Sequence, residues 1–420
     1  MKFGEVMKEK LGIIDKAIMG YFLFQILFLR WMTGVSYFSY MGIIIIIFVL
    51  VRKKRKFRLT LLDILISYIY IFIVGLNIFF NGTHELLFNN LYSEGIVNLI
   101  AIIYILVLRY ENPKGLKNYI LNEVFYILNI YFIVNIPIII KQLEGTYFFM
   151  RLTQFNPMYE DHITGLIGAS GTHELTFYWI ILVLINFYKF SQNRKKMIIV
   201  ITTLYIIFMF IISSQNDNTA FFIIFPLIMV QYCLKFVLDK KYIIKNLIKS
   251  LFIILIIIGV SVFIYNSNED VNIFVNTRVL SKLEQFGIKD RNVTNQGSDE
   301  ERIALFKVAL EKGDGYKIGK GIGSIQTYGE PTLPKHFGMS EISLRTYEGG
   351  LVYLIILILI FSHFLYRIYR PINKDKLIVY IAITLDITFF AIYTLIFRQV
   401  FFSFALALIV FIFSLNYKEE

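Results

Sequence analysis

The sequence predicts an all-α polytopic membrane protein of about twelve transmembrane helices, with one large, partly helical extracytoplasmic loop between the ninth and tenth. Three observations predict it. Of 420 residues, 57% are hydrophobic and only 17% charged, with a mean hydropathy of +0.65; no soluble core could bury so much apolar surface. The apolar residues fall in runs long enough, at about 1.5 Å per helical residue, to cross about 30 Å of hydrocarbon. Lys and Arg gather in short clusters in every second connector.

The expected spans run near Ile13–Leu29, Thr33–Val51, Leu59–Phe80, Leu86–Leu108, Tyr119–Ile140, His173–Phe190, Met197–Ile212, Thr219–Leu238, Lys249–Tyr265, Thr346–Tyr366, Leu377–Phe397 and Val400–Leu415. Short cytoplasmic loops carry the excess of Lys and Arg. The run Arg52-Lys53-Lys54-Arg55-Lys56-Phe57-Arg58 therefore sets the orientation. Arg109/Lys114/Lys117, Arg194/Lys195/Lys196, Lys240/Lys241/Lys245 and Arg367/Arg370/Lys374/Lys376 fall on the same side as both termini, whereas Asn81–Glu85 and Ser213–Asn218 carry no Lys or Arg. Met1–Lys10 is polar and meets the first span without a small-residue cleavage site, which argues against a removable signal peptide.

Two outer loops are longer, Lys141–Thr172 and Asn266–Arg345. Long loops cross regardless of their charge, so arginines in the second do not conflict with the topology. The chain thus divides into residues 1–265, a transmembrane bundle of nine spans; 266–345, the extracytoplasmic loop; and 346–420, spans ten to twelve. Within the loop, Asp299-Glu300-Glu301 followed by Ile303, Phe306 and Leu310 reads as an amphipathic helix with acidic residues at its positive end. A turn-rich segment follows at Gly313, Gly315, Gly319, Gly321 and Gly323.

Several function classes are excluded. The net charge of +12 sits in topology-setting clusters rather than in a nucleic-acid-binding patch. Cys233 is the single cysteine, so there is no disulfide framework and no thiol-metal site. In Gly315–Ser324, Lys320 precedes Gly321 instead of Ser or Thr, which breaks the P-loop pattern. His84, Glu85, His162, His173 and Glu174 follow no known metal spacing, and no metal or other cofactor is expected. Asp63, Glu94, Glu123 and Asp386 lie in or beside spans, where a charge is costly and faces protein or a water-filled cavity.

The chemistry-bearing residues concentrate in the large loop. Arg278, Arg291, Arg302 and Arg345 supply planar guanidinium groups that match phosphate oxygens bidentately and stay charged. His336, the loop's single histidine, can take a proton from a sugar hydroxyl near neutral pH, with Glu341 and Glu348 as alternative bases. The set suits an anionic, phosphate-linked substrate held at a membrane face.

Four stretches resemble the Wzy-type polysaccharide (O-antigen or capsule) polymerases and the related O-antigen ligases. They are Gly171–Leu175, Ser213–Asp217, Gly297–Arg302 through Gly319–Gly323, and Ser340–Leu351, the last being the most specific. The resemblance implies a glycosyltransferase-type polymerase in the bacterial cytoplasmic membrane, with both termini cytoplasmic. It would join undecaprenyl-pyrophosphate-linked oligosaccharide repeats into capsular, exopolysaccharide or O-antigen-like polymer. Arg278, Arg302 and Arg345 would engage the pyrophosphate and His336 would be the base. Membrane lipids, a flippase and a chain-length regulator are the further partners it implies. Phe337 follows His336, so the ligases' His-Asn signature is absent. A ligase of the same superfamily and a flippase or transporter are the alternatives.

Overall fold

The structure is a computed structural model and describes residues 10–28, 59–81, 97–144, 163–168, 171–216, 218–238, 276, 298–324, 340–369, 376–393, 397 and 400–415. The described residues form helices and the turns between them, with no strand. In order they are α1 Ile13–Phe28, α2 Leu61–Asn81, α3 Val97–Glu111, α4 Pro113–Leu143, α5 Thr172–Asn193, α6 Lys196–Gln215, α7 Thr219–Leu238, α8 Ser298–Glu311, α9 Glu341–Tyr369, α10 Lys376–Tyr393 and α11 Val400–Ser414. Five of these, α2, α4, α5, α6 and α9, are long and apolar enough to cross a membrane. The expected spans Thr33–Val51 and Lys249–Tyr265 lie outside the described residues.

Helix is the form these runs must take, because in hydrocarbon every backbone N–H and C=O needs a partner within the segment. Their starts are written locally. Thr60 and Asp63 cap α2 reciprocally: the Asp63 carboxylate accepts from Thr60 N–H at 2.6 Å, and Asp63 N–H donates to Thr60 Oγ1 at 3.2 Å. Asn112 caps α4 by accepting from Gly115 N–H at 2.9 Å, with Pro113 in the first helical position. α4 has one π-helical stretch, Tyr119–Val124, and begins well ahead of the expected Tyr119.

Burial separates inner from outer helices. In α5, 78% of the apolar window is buried, against 28% in α2, whose other faces are open. α11 packs against α1, α3, α5 and α9 and is buried almost throughout. Aromatic rings knit this interior, with Phe22 stacked on Phe404 at 5.0 Å and Phe177 edge-on to Phe402 at 5.1 Å.

Polar contacts sort the helix ends into two groups. At one end, Tyr104 donates to Asp15 at 2.7 Å, Lys16 pairs with Glu123, Lys189 donates to Asn122 at 2.7 Å, and Asp63 meets His363 and Arg367. This is the basic end. At the other, Gln142 accepts from Gly165 N–H at 2.8 Å, Asn135 from Leu166 N–H at 2.6 Å, and Asn216 donates to the Ile163 carbonyl at 3.0 Å. The same end holds Asn77, Glu341 and Phe397.

Two sequence expectations are revised here. α8 does form, but the face it buries is Leu305 and Ala309, with Val308 beside them, against Leu344 and Tyr347 of α9, whereas Phe306 and Leu310 are only half-buried. The neighbour decides which side of a short helix is covered. α9 begins at Glu341, ahead of the expected Thr346, so the loop's last residues belong to the helix.

α9 is broken at Gly350, where φ is 79° and ψ 170°. That is a region of backbone space open essentially to glycine alone. A Cβ there would also stand 2.2 Å from the Lys317 carbonyl oxygen. Gly350→Ala is therefore expected to cost at least about 1–3 kcal/mol from backbone strain alone. Thermal unfolding of the purified protein in detergent checks this; an unchanged melting temperature would show that the break is not needed.

Candidate functional site

The break in α9 exposes backbone groups that a continuous helix would pair internally. A glycine-rich segment, residues 313–324, satisfies them. Lys320 N–H donates to the Tyr347 carbonyl and Gly321 N–H to that of Glu348, both at 2.8 Å, while Leu351 N–H, freed by the break, donates to the Gly315 carbonyl at 2.8 Å. Asn77, near the end of α2, locks the assembly. Its Nδ2 donates to the carbonyls of Ile318 at 2.5 Å and Glu348 at 3.1 Å, and its Oδ1 accepts from Ile322 N–H at 2.8 Å.

Such close backbone approach explains the glycines. Gly319 has φ of 77°, and a Cβ on it would lie 2.6 Å from Glu348 backbone atoms. On the segment's exposed side, Lys320 Nζ bonds Asp314 at 2.6 Å. That hydrogen bond, with the opposite charge each group presents to the other, holds the Asp314 carboxyl below its usual range and raises Lys320 above its own.

Beneath the segment, the first turns of α9 bury an ionic trio. Glu341, Arg345 and Glu348 lie at helical spacings of four and three residues, so they share one face. All three are fully buried. Arg345 Nε donates to Glu341 Oε1 at 2.5 Å and Nη1 to Glu348 Oε2 at 3.2 Å; Glu341 Oε2 accepts from Phe397 N–H at 3.2 Å. The last bond ties α9 to the turn between α10 and α11. A buried guanidinium is tolerable because carboxylates and hydrogen bonds replace its lost hydration.

The candidate residues thus divide. The structure brings together Glu341, Arg345 and Glu348. Arg302 lies on α8, the helix packed over this region, with its side chain outside the described residues; His336, Arg278 and Arg291 lie outside them altogether. Arg345 and Glu341 are engaged with each other inside the protein. Helix continuity through Thr346 carries them inward.

Sequence reasoning passed over Asn77, a polar residue in an apolar run, and polarity in such a run is the signal that could have found it. It singled out Asp63, whose partners are His363 at 2.6 Å and Arg367. Arg367 also lies over the Tyr110 ring, 5.4 Å from its centre. Asp386 accepts from Gln231 at 2.7 Å, joining α10 to α7. Comparison with protein-family models, with curated proteins and with solved structures gives no match.

Removing one member of a buried ionic group leaves the rest uncompensated, typically at about 3–5 kcal/mol. Arg345→Ala is expected to lower the melting temperature sharply, and adding Glu341→Gln to recover part of the loss. A single variant as stable as the parent would mean that the trio does not hold this end of the bundle.

Proposed function

We propose that this chain is a polysaccharide polymerase that joins undecaprenyl-pyrophosphate-linked oligosaccharide repeats at the outer face of a bacterial cytoplasmic membrane. The observation that carries the proposal is a convergence. The four stretches of family resemblance are scattered over the sequence, yet their described parts lie at one end of the bundle, two of them in direct contact and two joined just past their ends. Gly319–Gly323 docks on Ser340–Leu351 through backbone hydrogen bonds and Asn77. Thr176, one residue past Gly171–Leu175, hydrogen-bonds Asn218, one residue past Ser213–Asp217, at 3.0 Å. Phe177, two residues past Gly171–Leu175, lies against Phe402 and Phe390, and Phe397 between those rings in sequence bonds Glu341 of the first pair.

In this proposal the basic end is cytoplasmic, in keeping with the loop charges, and the end with the glycine segment faces outward, within about twelve spans in all. Arg278, Arg291 and Arg302 hold the pyrophosphate and stabilise the charge that grows as it departs. A sugar hydroxyl of one repeat attacks the anomeric carbon of the lipid-linked chain. The C–O bond to pyrophosphate breaks as the new glycosidic bond forms, and His336 takes the hydroxyl proton. Glu341 and Arg345 act as positioning residues, fixing the broken helix on which the large loop is seated.

Arg302→Ala should insert at the parent's level yet make no polymer, with single lipid-linked repeats accumulating instead. Immunoblots of membranes and gel analysis of the polysaccharide measure both. Long polymer at normal yield would remove Arg302 from the mechanism. Repeats trapped on the cytoplasmic leaflet after gene deletion would replace polymerisation with flipping.

A further inference from the structure

At the basic end of the bundle, beside the π-helical stretch of α4 and the turn from α5 into α6, cations gather without carboxylates. Lys189, near the end of α5, is half-buried, and Arg194, Lys195 and Lys196 in the turn that follows are exposed. Lys189 Nζ donates to Asn122 Oδ1 at 2.7 Å and lies 5.6 Å from the centre of the Phe125 ring. Lys195 stands close enough to act on its charge. Every described neighbour of that ammonium is thus neutral or positive.

The acid next to Asn122 in sequence serves another helix. Glu123 pairs with Lys16 of α1, so the stretch Tyr119–Val124 neutralises the cation of α1 and offers that of α5 only an amide. Among the described residues no carboxylate pairs with Lys189, Arg194, Lys195 or Lys196. The other connectors that alternate to this side in sequence supply no surplus of acid. Residues 52–58, 109–118, 239–245 and 367–376 each hold more Lys and Arg than Asp and Glu. The counter-charge therefore has to come from outside the chain.

What adjoins the cations selects the ligand. On α4, Tyr126, Ile127, Ile130, Ile133 and Val134 are exposed, an apolar face that starts one turn past Asn122 and runs toward the other end of the helix. A free phosphate or an acidic peptide would match the cations and gain nothing from that face. A phospholipid with an anionic head matches both, its phosphate meeting the ammonium groups and its acyl chains lying along α4. Tyr126 sits where the two parts join, the level that favours a ring with a polar tip. We propose that this crevice between α4 and the α5–α6 turn binds an anionic phospholipid, with Lys189 and Lys195 holding its phosphate. Lys189 is pinned on Asn122, which distinguishes it from loop charge that only sets orientation. Nothing in this site depends on the polymerase chemistry; it requires only that α4 and α5, both long and apolar enough, cross a membrane.

The test uses the purified full-length protein in a neutral detergent, with bound lipid counted by native mass spectrometry. Phosphatidylglycerol is the probe, and phosphatidylcholine with the same acyl chains is its counterpart without net charge. The parent is expected to retain phosphatidylglycerol in preference. Lys189→Gln combined with Lys195→Gln should weaken that binding about thirtyfold, the worth of two charges facing the phosphate, and leave phosphatidylcholine unaffected. Lys189→Arg with Lys195→Arg keeps both charges and should bind as the parent does. Lys53→Gln with Lys54→Gln removes the same net charge elsewhere and should change little. An equal loss in that control would spread the attraction over the whole chain and overturn the site. Unchanged binding in the glutamine pair overturns it too, as does a loss that the arginine pair shares, which would trace to packing rather than charge. Displacement of the lipid by inorganic phosphate at matched concentration would mark a site for a free anion and likewise end the lipid assignment.

Discussion

The arrangement at the end opposite the basic one depends on one constraint, that a helix broken inside an apolar bundle must have its freed backbone groups satisfied by protein. Gly350 breaks α9, and the segment 313–324 returns hydrogen bonds to Tyr347, Glu348 and Leu351. Without that segment the carbonyls and the N–H would be buried unpaired; without the break the segment would have nothing to dock on. Asn77 binds both and brings in α2 as a third element.

The ionic trio follows from the same geometry. Because α9 starts at Glu341 and not after Arg345, the Glu341–Arg345–Glu348 face turns into the protein, and the pair of carboxylates takes the place of water around the guanidinium. Helices α2 and α9 are thereby joined at two levels. Asn77 connects them at one end, and Asp63 with His363 and Arg367 at the basic end, with Tyr70 stacked on Tyr353 between. An element fixed at both ends gives the docked segment 313–324 a rigid seat.

Much of the helical framework was legible in the chain. Apolar runs such as Lys196–Gln215 and Leu61–Asn81 announce themselves, and the caps Thr60-Leu61-Leu62-Asp63 and Asn112-Pro113 can be read letter by letter. The site was legible only in part. Arg345 and Glu341 were identifiable as a pair of interest, but an arginine near a helix start looks the same in sequence whether it faces a substrate or two buried glutamates. The buried face of α8 was misjudged for a related reason: Phe306 is the larger apolar residue, yet Leu305 and Ala309 meet α9. Asn77 and Asn218 carried no local mark beyond their polarity, and their partners lie far away in sequence or depend on a particular cap.

By itself the sequence determined that the described residues form helices, five of them long and apolar enough to cross a membrane, since the excess of apolar residues and the length of their runs depend on composition and order alone. It also determined which residues could start helices and where glycine was free to turn the chain. Tertiary structure alone decided which polar side chains face one another. That outcome depends on the rotation of each helix about its axis and on contacts such as Asn77 with Ile322, Glu341 with Phe397 and Asp63 with His363, which join points that no local pattern connects. Helical periodicity fixes the angle between neighbours on one helix; only packing fixes which direction is inward.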